Sequence, residues 1–121
     1  MVRVIDSNQV LGFGASSITN AYANSAMPNY TVDALGVFPC WDDLYIYQGQ
    51  PQGIFYSIDG TAPNRSLTVE FYESHYSDST QYYHFLVSFW ENMPNVTTID
   101  YLNMSDAGTS ATVGIEAKTR E

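Results

Sequence analysis

Two stretches of strict alternation limit this chain more than any other feature. In Ser66-Leu67-Thr68-Val69-Glu70-Phe71-Tyr72-Glu73, apolar Leu67, Val69 and Phe71 take every second position, with Thr68, Glu70 and Tyr72 between them. Side chains of an extended strand alternate between faces, so period two turns one set to a core and the other to solvent. The period recurs from Tyr82 to Trp90, with Tyr83, Phe85, Val87 and Phe89 on one face and His84, Leu86, Ser88 and Trp90 on the other. Both faces carry large groups there, which predicts a central strand covered on both sides. Helical spacing is nearly absent.

Shorter strands are expected at Arg3–Asp6, Val10–Phe13, Leu35–Phe38, Leu44–Tyr47, Ile54–Ile58, Thr97–Tyr101 and Thr112–Glu116. Turn residues separate them: Gly49-Gln50-Pro51, Asp59-Gly60, Ala62-Pro63-Asn64, Met93-Pro94-Asn95 and Asp106-Ala107-Gly108. The turn at Ile58-Asp59-Gly60-Thr61 makes the Ile54 and Leu67 strands antiparallel neighbours. Ala15–Asn24 is small and polar and is expected to be a loop with at most a short helical turn. Short strands at this spacing predict an all-β fold, an antiparallel β-sandwich of jelly-roll-like character with little or no helix. At 121 residues, 1–121 suits one domain. The start Met1-Val2-Arg3-Val4-Ile5-Asp6 lacks an apolar signal segment. The expectation is therefore an excised or truncated module of a larger secreted protein.

Charge narrows the partners. The net charge is −9, and the four cations are Arg3, Arg65, Lys118 and Arg120. Nucleic-acid affinity rests on cations, so no nucleic-acid partner is expected. Membrane insertion is not expected either, since no run of about 18 apolar residues occurs. Arg65 alone lies away from the chain ends, and an arginine fork satisfies a carboxylate bidentately. A structural ion pair of Arg65 with Asp42 or Asp43 is expected. The alternative use of Asp42 and Asp43 is a calcium site completed by backbone carbonyls, although the Asp-x-Asp-x-Asp-Gly loop spacing is missing. No other cofactor or metal is implied. Cys40 is the single cysteine, so it is either a small buried hydrophobe or paired outside this chain.

No catalytic constellation emerges. His75 and His84 are the two histidines, and neither His-Glu-x-x-His nor Cys-x-x-Cys spacing occurs. Glu70 and Glu73 are an odd offset apart and point to opposite faces of one strand, which does not suit the paired carboxylates of a glycosidase. Gly-x-Ser-x-Gly is absent. The chain is expected not to be an enzyme. Its ten tyrosines are more informative, because Tyr buries ring area while keeping its hydroxyl wet. Tyr45, Tyr47, Tyr72, Tyr82 and Trp90 are candidates for an aromatic binding surface, since exposed Tyr and Trp stack on sugars and anchor interfaces. Asn29, Asn64, Asn95 and Asn103 each open an Asn-x-Ser/Thr sequon and are candidate glycosylation sites.

The chain also resembles a known family. The residues that carry the resemblance are Phe38-Pro39-Cys40-Trp41-Asp42-Asp43-Leu44, Gly53-Ile54-Phe55-Tyr56, Gly60-Thr61-Ala62-Pro63-Asn64-Arg65, Thr68-Val69-Glu70-Phe71, His75-Tyr76 and Ser110-Ala111-Thr112-Val113-Gly114-Ile115. They resemble an extracellular β-sandwich module of bacterial and fungal secreted and surface proteins, and more distantly the extracellular domain of nidogens. The resemblance implies a location outside the cell or at its surface, and no known catalytic activity. The function expected is a binding or adhesive accessory module for a glycan or a protein surface. The alternative is a structural subunit, part of a fibre or surface layer, that joins copies of itself through sheet edges.

Overall fold

The computed structural model describes residues 2–5, 8, 10–13, 22–28 and 35–117. Among them the chain is all strand and turn, with nine strands and no helix. They are β1 (Val2–Ile5), β2 (Leu11–Phe13), β3 (Leu35–Trp41), β4 (Leu44–Tyr45), β5 (Gly53–Asp59), β6 (Ser66–His75), β7 (Asp78–Trp90), β8 (Met93–Met104) and β9 (Thr112–Glu116). The strand pairings detailed below are antiparallel. The expected all-β class holds, and its strands lie in two sheets, as a β-sandwich-like fold requires. Two compact units divide the chain, one of Met1–Tyr45 with Asp106–Glu121 and one of Ile46–Ser105.

The first unit contains a sheet of order β1-β2-β3-β9. Its core gathers Val10, Phe38 and Trp41, with Met27 packed against them. Phe38 and Trp41 are an odd offset apart and would face opposite ways in a regular strand. They share a core because the β3–β9 register shifts between them, so the extra residue turns Trp41 back inward. Their rings meet at 5.3 Å with a 43° tilt. Cys40 is buried in β3. Asn24 Nδ2 donates to the Trp41 carbonyl at 3.0 Å, and Thr112 Oγ1 donates to the Ser25 carbonyl at 3.0 Å, which ties the 22–28 segment to this sheet.

The second unit is a meander in which β5, β6, β7 and β8 pair in chain order. The β5–β6 hairpin turns at Gly60, as expected. Its φ is +88°, and a Cβ there would come within 2.6 Å of the Asn64 carbonyl oxygen, so only glycine fits without moving backbone. The long β6–β7 ladder sets Leu67 opposite Phe89, Val69 opposite Val87 and Phe71 opposite Phe85. Directly opposed residues share a face, so this register collects the apolar alternates of both strands on one side. Val69, Phe71, Tyr83, Phe85 and Val87 are all fully buried. The aromatic row continues onto β8, where Tyr101 lies opposite Phe85. Phe71 stacks on Phe85 at 5.0 Å and Phe85 meets Tyr101 at 5.8 Å.

Several strands differ in extent from expectation. β8 runs from Met93 to Met104 rather than Thr97 to Tyr101, and the Leu44–Tyr47 strand shrinks to Leu44–Tyr45. The expected loop of Ala15–Asn24 lies largely outside the described residues.

Candidate functional site

The meander's second face carries the alternates left over from the apolar side. Cross-strand register arranges them in rows: Ser57, Thr68, Ser88 and Thr98; Phe55, Glu70, Leu86 and Asp100; Gly53, Tyr72, His84 and Asn103. The hydroxyl row is linked at its centre, with Thr68 Oγ1 and Ser88 Oγ 3.0 Å apart. Thr98 Oγ1, at the end of that row, is shielded from solvent and has no hydrogen-bond partner among the described residues.

One cluster on this face combines rings with charge. The Tyr72 ring stacks on His84 at 4.7 Å and 28°, and Tyr82 meets Tyr72 edge-on at 6.3 Å. His84 Nε2 lies 2.7 Å from Glu70 Oε1. Glu70 sits diagonally from His84 across the β6–β7 ladder, a separation that long side chains bridge. All four groups are partly or largely solvent-accessible. The cluster therefore offers a fixed aromatic platform beside a carboxylate that accepts hydrogen bonds. Glu73, the other glutamate of β6, is fully buried on the opposite face, in keeping with its odd offset.

The expected aromatic surface is only partly assembled. Tyr72 and Tyr82 come together, as just described. Trp90 is on the same strand face as Tyr82 but eight residues along β7, about 26 Å away at the usual strand rise. Tyr47 lies outside any strand and uses its hydroxyl to donate to the Tyr76 carbonyl at 2.5 Å, pinning the β6–β7 turn. Tyr45 is exposed at the end of β4, in the first unit. His84 and Glu70 belong to the cluster and were not among the candidate binding residues. Glu70 is on the solvent-side alternates of its strand, but His84 was expected on a covered face of β7, and the structure leaves His84, Leu86 and Trp90 of that face only partly buried.

Arg65 takes a different partner from the one expected. Its guanidinium grips Glu91 with Nε at 2.8 Å and Nη2 at 2.7 Å, instead of Asp42 or Asp43. The ladder explains the choice: the register that opposes Ser66 to Trp90 opposes Arg65 to Glu91 one step further. The backbone agrees, with the Glu91 amide donating to the Arg65 carbonyl at 2.8 Å. Hydrogen bonds from the Arg65 side chain lower the Glu91 pKa from its ordinary 4.5 to about 2, aided by the guanidinium charge. The folded value is the lower one. The pair thus stabilises the fold fully above about pH 4.5, and its contribution fades as pH falls towards 2. An NMR titration of the Glu91 side-chain carboxyl should show a midpoint near 2 in the wild type. In Arg65→Ala it should return to near 4.5. A wild-type midpoint already near 4.5 would mean the fork is not formed in solution.

Asp42 is engaged in the first unit instead. Ser110 Oγ lies 2.5 Å from Asp42 Oδ2 and 2.7 Å from Asp106 Oδ2. Asp106 also accepts from the Gly108 amide at 2.8 Å and the Ser110 amide at 3.1 Å. Partial burial works to raise the Asp106 pKa, but these hydrogen bonds outweigh it and hold the carboxyl below the usual range. One hydroxyl hydrogen serves one carboxylate at a time, so Ser110 joins the end of β3 to the turn before β9 by a shared bond. Asp42 Oδ1 accepts from the Asp43 amide at 2.8 Å. Among the described residues no three His, Cys, Asp or Glu side chains converge as a ligand set.

Of the sequons, Asn64, Asn95 and Asn103 are exposed, and Asn29 lies outside the described residues. No helix among the described residues is long and apolar enough to cross a membrane.

Comparison with known proteins places this geometry in a family. Neither the curated proteins nor the solved structures gave a match. A family model described as NIDO related matches residues 3–121. That match spans both units, β1 to β9, and the chain accordingly belongs to the NIDO-related family.

Proposed function

We propose that this chain is a non-catalytic extracellular binding module whose ligand is a glycan, held on the Tyr72–Tyr82–His84–Glu70 face of the meander. The observation that carries the reading is the ring platform beside an accessible carboxylate. Sugar rings present C–H faces that stack on aromatic rings and hydroxyls that donate to carboxylates. Glu70 supplies an acceptor next to the platform, and its contact to His84 holds it there. Membership of a nidogen-related family supports the extracellular setting. The acidic chain, at −9, favours neutral or cationic ligands over anionic ones. The placement of Glu70 and Glu73 on opposite faces of β6 supports a binding role over glycoside hydrolysis. On exposed Asn64 and Asn95, glycans would be accommodated without disturbing a core, whereas a glycan on Asn103, opposite His84, would crowd the ligand face.

A glycan array followed by calorimetric titration tests the reading. At least one neutral oligosaccharide should bind. Tyr82→Ala should weaken it about tenfold or more, the loss of one stacking contact of about 1.4 kcal/mol. Silence across the array, or affinity unchanged in both Tyr82→Ala and Glu70→Gln, would overturn the assignment.

A further inference from the structure

We propose that β5 is the seam of a homodimer, in which two copies of the chain join their β5 strands antiparallel about Tyr56 into one continuous sheet. Among the described residues β5 pairs with β6 alone, which leaves its other edge of backbone N–H and C=O groups open. Phe55, Tyr56 and Ile58 are 50%, 74% and 62% exposed, and every residue from 55 to 59 faces solvent. An edge strand of this kind usually carries Lys, Pro or a bulge that blocks pairing with another chain. β5 has none of them: its sequence is Gly-Ile-Phe-Tyr-Ser-Ile-Asp, and its ladder to β6 runs without a register shift. β8, at the far edge of the same meander, is guarded by Pro94, by Asp100 and by two register shifts against β7. The sheet is thus blunted at one edge and open at the other.

The occupant is argued from self-complementarity. Pairing about Tyr56 sets Tyr56 against its own copy, Ile54 against Ile58, Phe55 against Ser57 and Gly53 against Asp59. Ile54, Tyr56 and Ile58 lie on the same face as Val69 and Phe71 by register, so the dimer extends an apolar row that already exists. Cross-strand aromatic and β-branched pairs are the favoured kind. Charge also fits. A chain of net charge −9 repels its copy over most surfaces, but β5 holds one charge, Asp59, and this register puts it opposite glycine instead of another carboxylate. The same strand in both copies about a twofold axis gives a closed, isologous interface. A seven-residue seam lies at the small end of protein interfaces, below about 1,200 Å², so the dimer is expected to dissociate on dilution.

Sedimentation from about 1 µM to about 1 mM should show the mass doubling, and Tyr56→Lys should move the midpoint up at least about tenfold. Circular dichroism on Tyr56→Lys should match the wild type, because the residue is exposed. Oxidation supplies a second readout. Tyr56→Cys should form a covalent dimer, since the opposed Cβ atoms lie about 4.5–5.5 Å apart and close to disulfide reach. Ser57→Cys, facing Phe55, should not. Buried Cys40 leaves the assay undisturbed. A monomer throughout, association untouched by Tyr56→Lys, or Ser57→Cys linking as readily as Tyr56→Cys would each overturn the proposal.

Discussion

Replacing Phe85 with alanine is expected to destabilise the protein by about 3–5 kcal/mol, enough to leave much of a small domain unfolded. Phe85 is fully buried at the middle of β7 and joins rings from both neighbouring strands, Phe71 of β6 and Tyr101 of β8. Truncation removes the transfer energy of the ring and leaves a cavity between strands that are hydrogen-bonded in place. Phe55→Ala is the control. Phe55 is half exposed on the opposite face of the same sheet, and its loss should cost less than about 1 kcal/mol. Urea unfolding of both variants, with unchanged slopes, checks the pair. Similar losses would mean that the two faces are not distinguished as described.

Trp41→Ala should be comparably severe in the other unit, at about 3–5 kcal/mol. Trp41 is 1% exposed and packs with Phe38, Val10 and Met27. Met27 of the 22–28 segment packs on this core, so the indole helps hold that segment to β3, while the Asn24 bond to the Trp41 backbone carbonyl survives the truncation. Trp41→Phe, which refills part of the volume, should recover a substantial part of the loss. A drop below about 1 kcal/mol for Trp41→Ala, read by urea unfolding, would place the indole outside the core.

The central hairpin was legible because its alternation is uninterrupted. Leu67, Val69 and Phe71 and then Tyr83, Phe85 and Val87 leave one way to bury both sets, and the structure uses it. The β5–β6 pairing was legible from Asp59-Gly60, a turn that needs φ above zero. β8 was underestimated because Met93-Pro94-Asn95 reads as a turn although the strand begins there, and because a register shift near Leu102 breaks the period at its other end. Partners across a ladder were harder still. Glu91 lies 26 residues from Arg65, and nothing local marks the pair. Once the β6–β7 register is known the pairing follows, but the register depends on where the hairpin turns. The same holds for the candidate site. Tyr72 and Tyr82 were readable as solvent-side aromatics, but the Tyr72–His84 stack and the His84–Glu70 contact exist only in the assembled sheet. Phe38 and Trp41 show the limit from the other direction, since an irregularity in β3 overrides the period that sequence reasoning relies on.

The apolar row and the proposed ligand face both depend on a single register between β6 and β7, because a slip of one residue would exchange every side chain between the two sides. Cross-strand NOEs between backbone protons measure that register directly. Phe71 should be found opposite Phe85, and Tyr72 opposite His84. Phe71 opposite His84 or Leu86 would contradict the account, since it would place His84 among the core rings and dissolve the Tyr72–Tyr82–His84–Glu70 cluster.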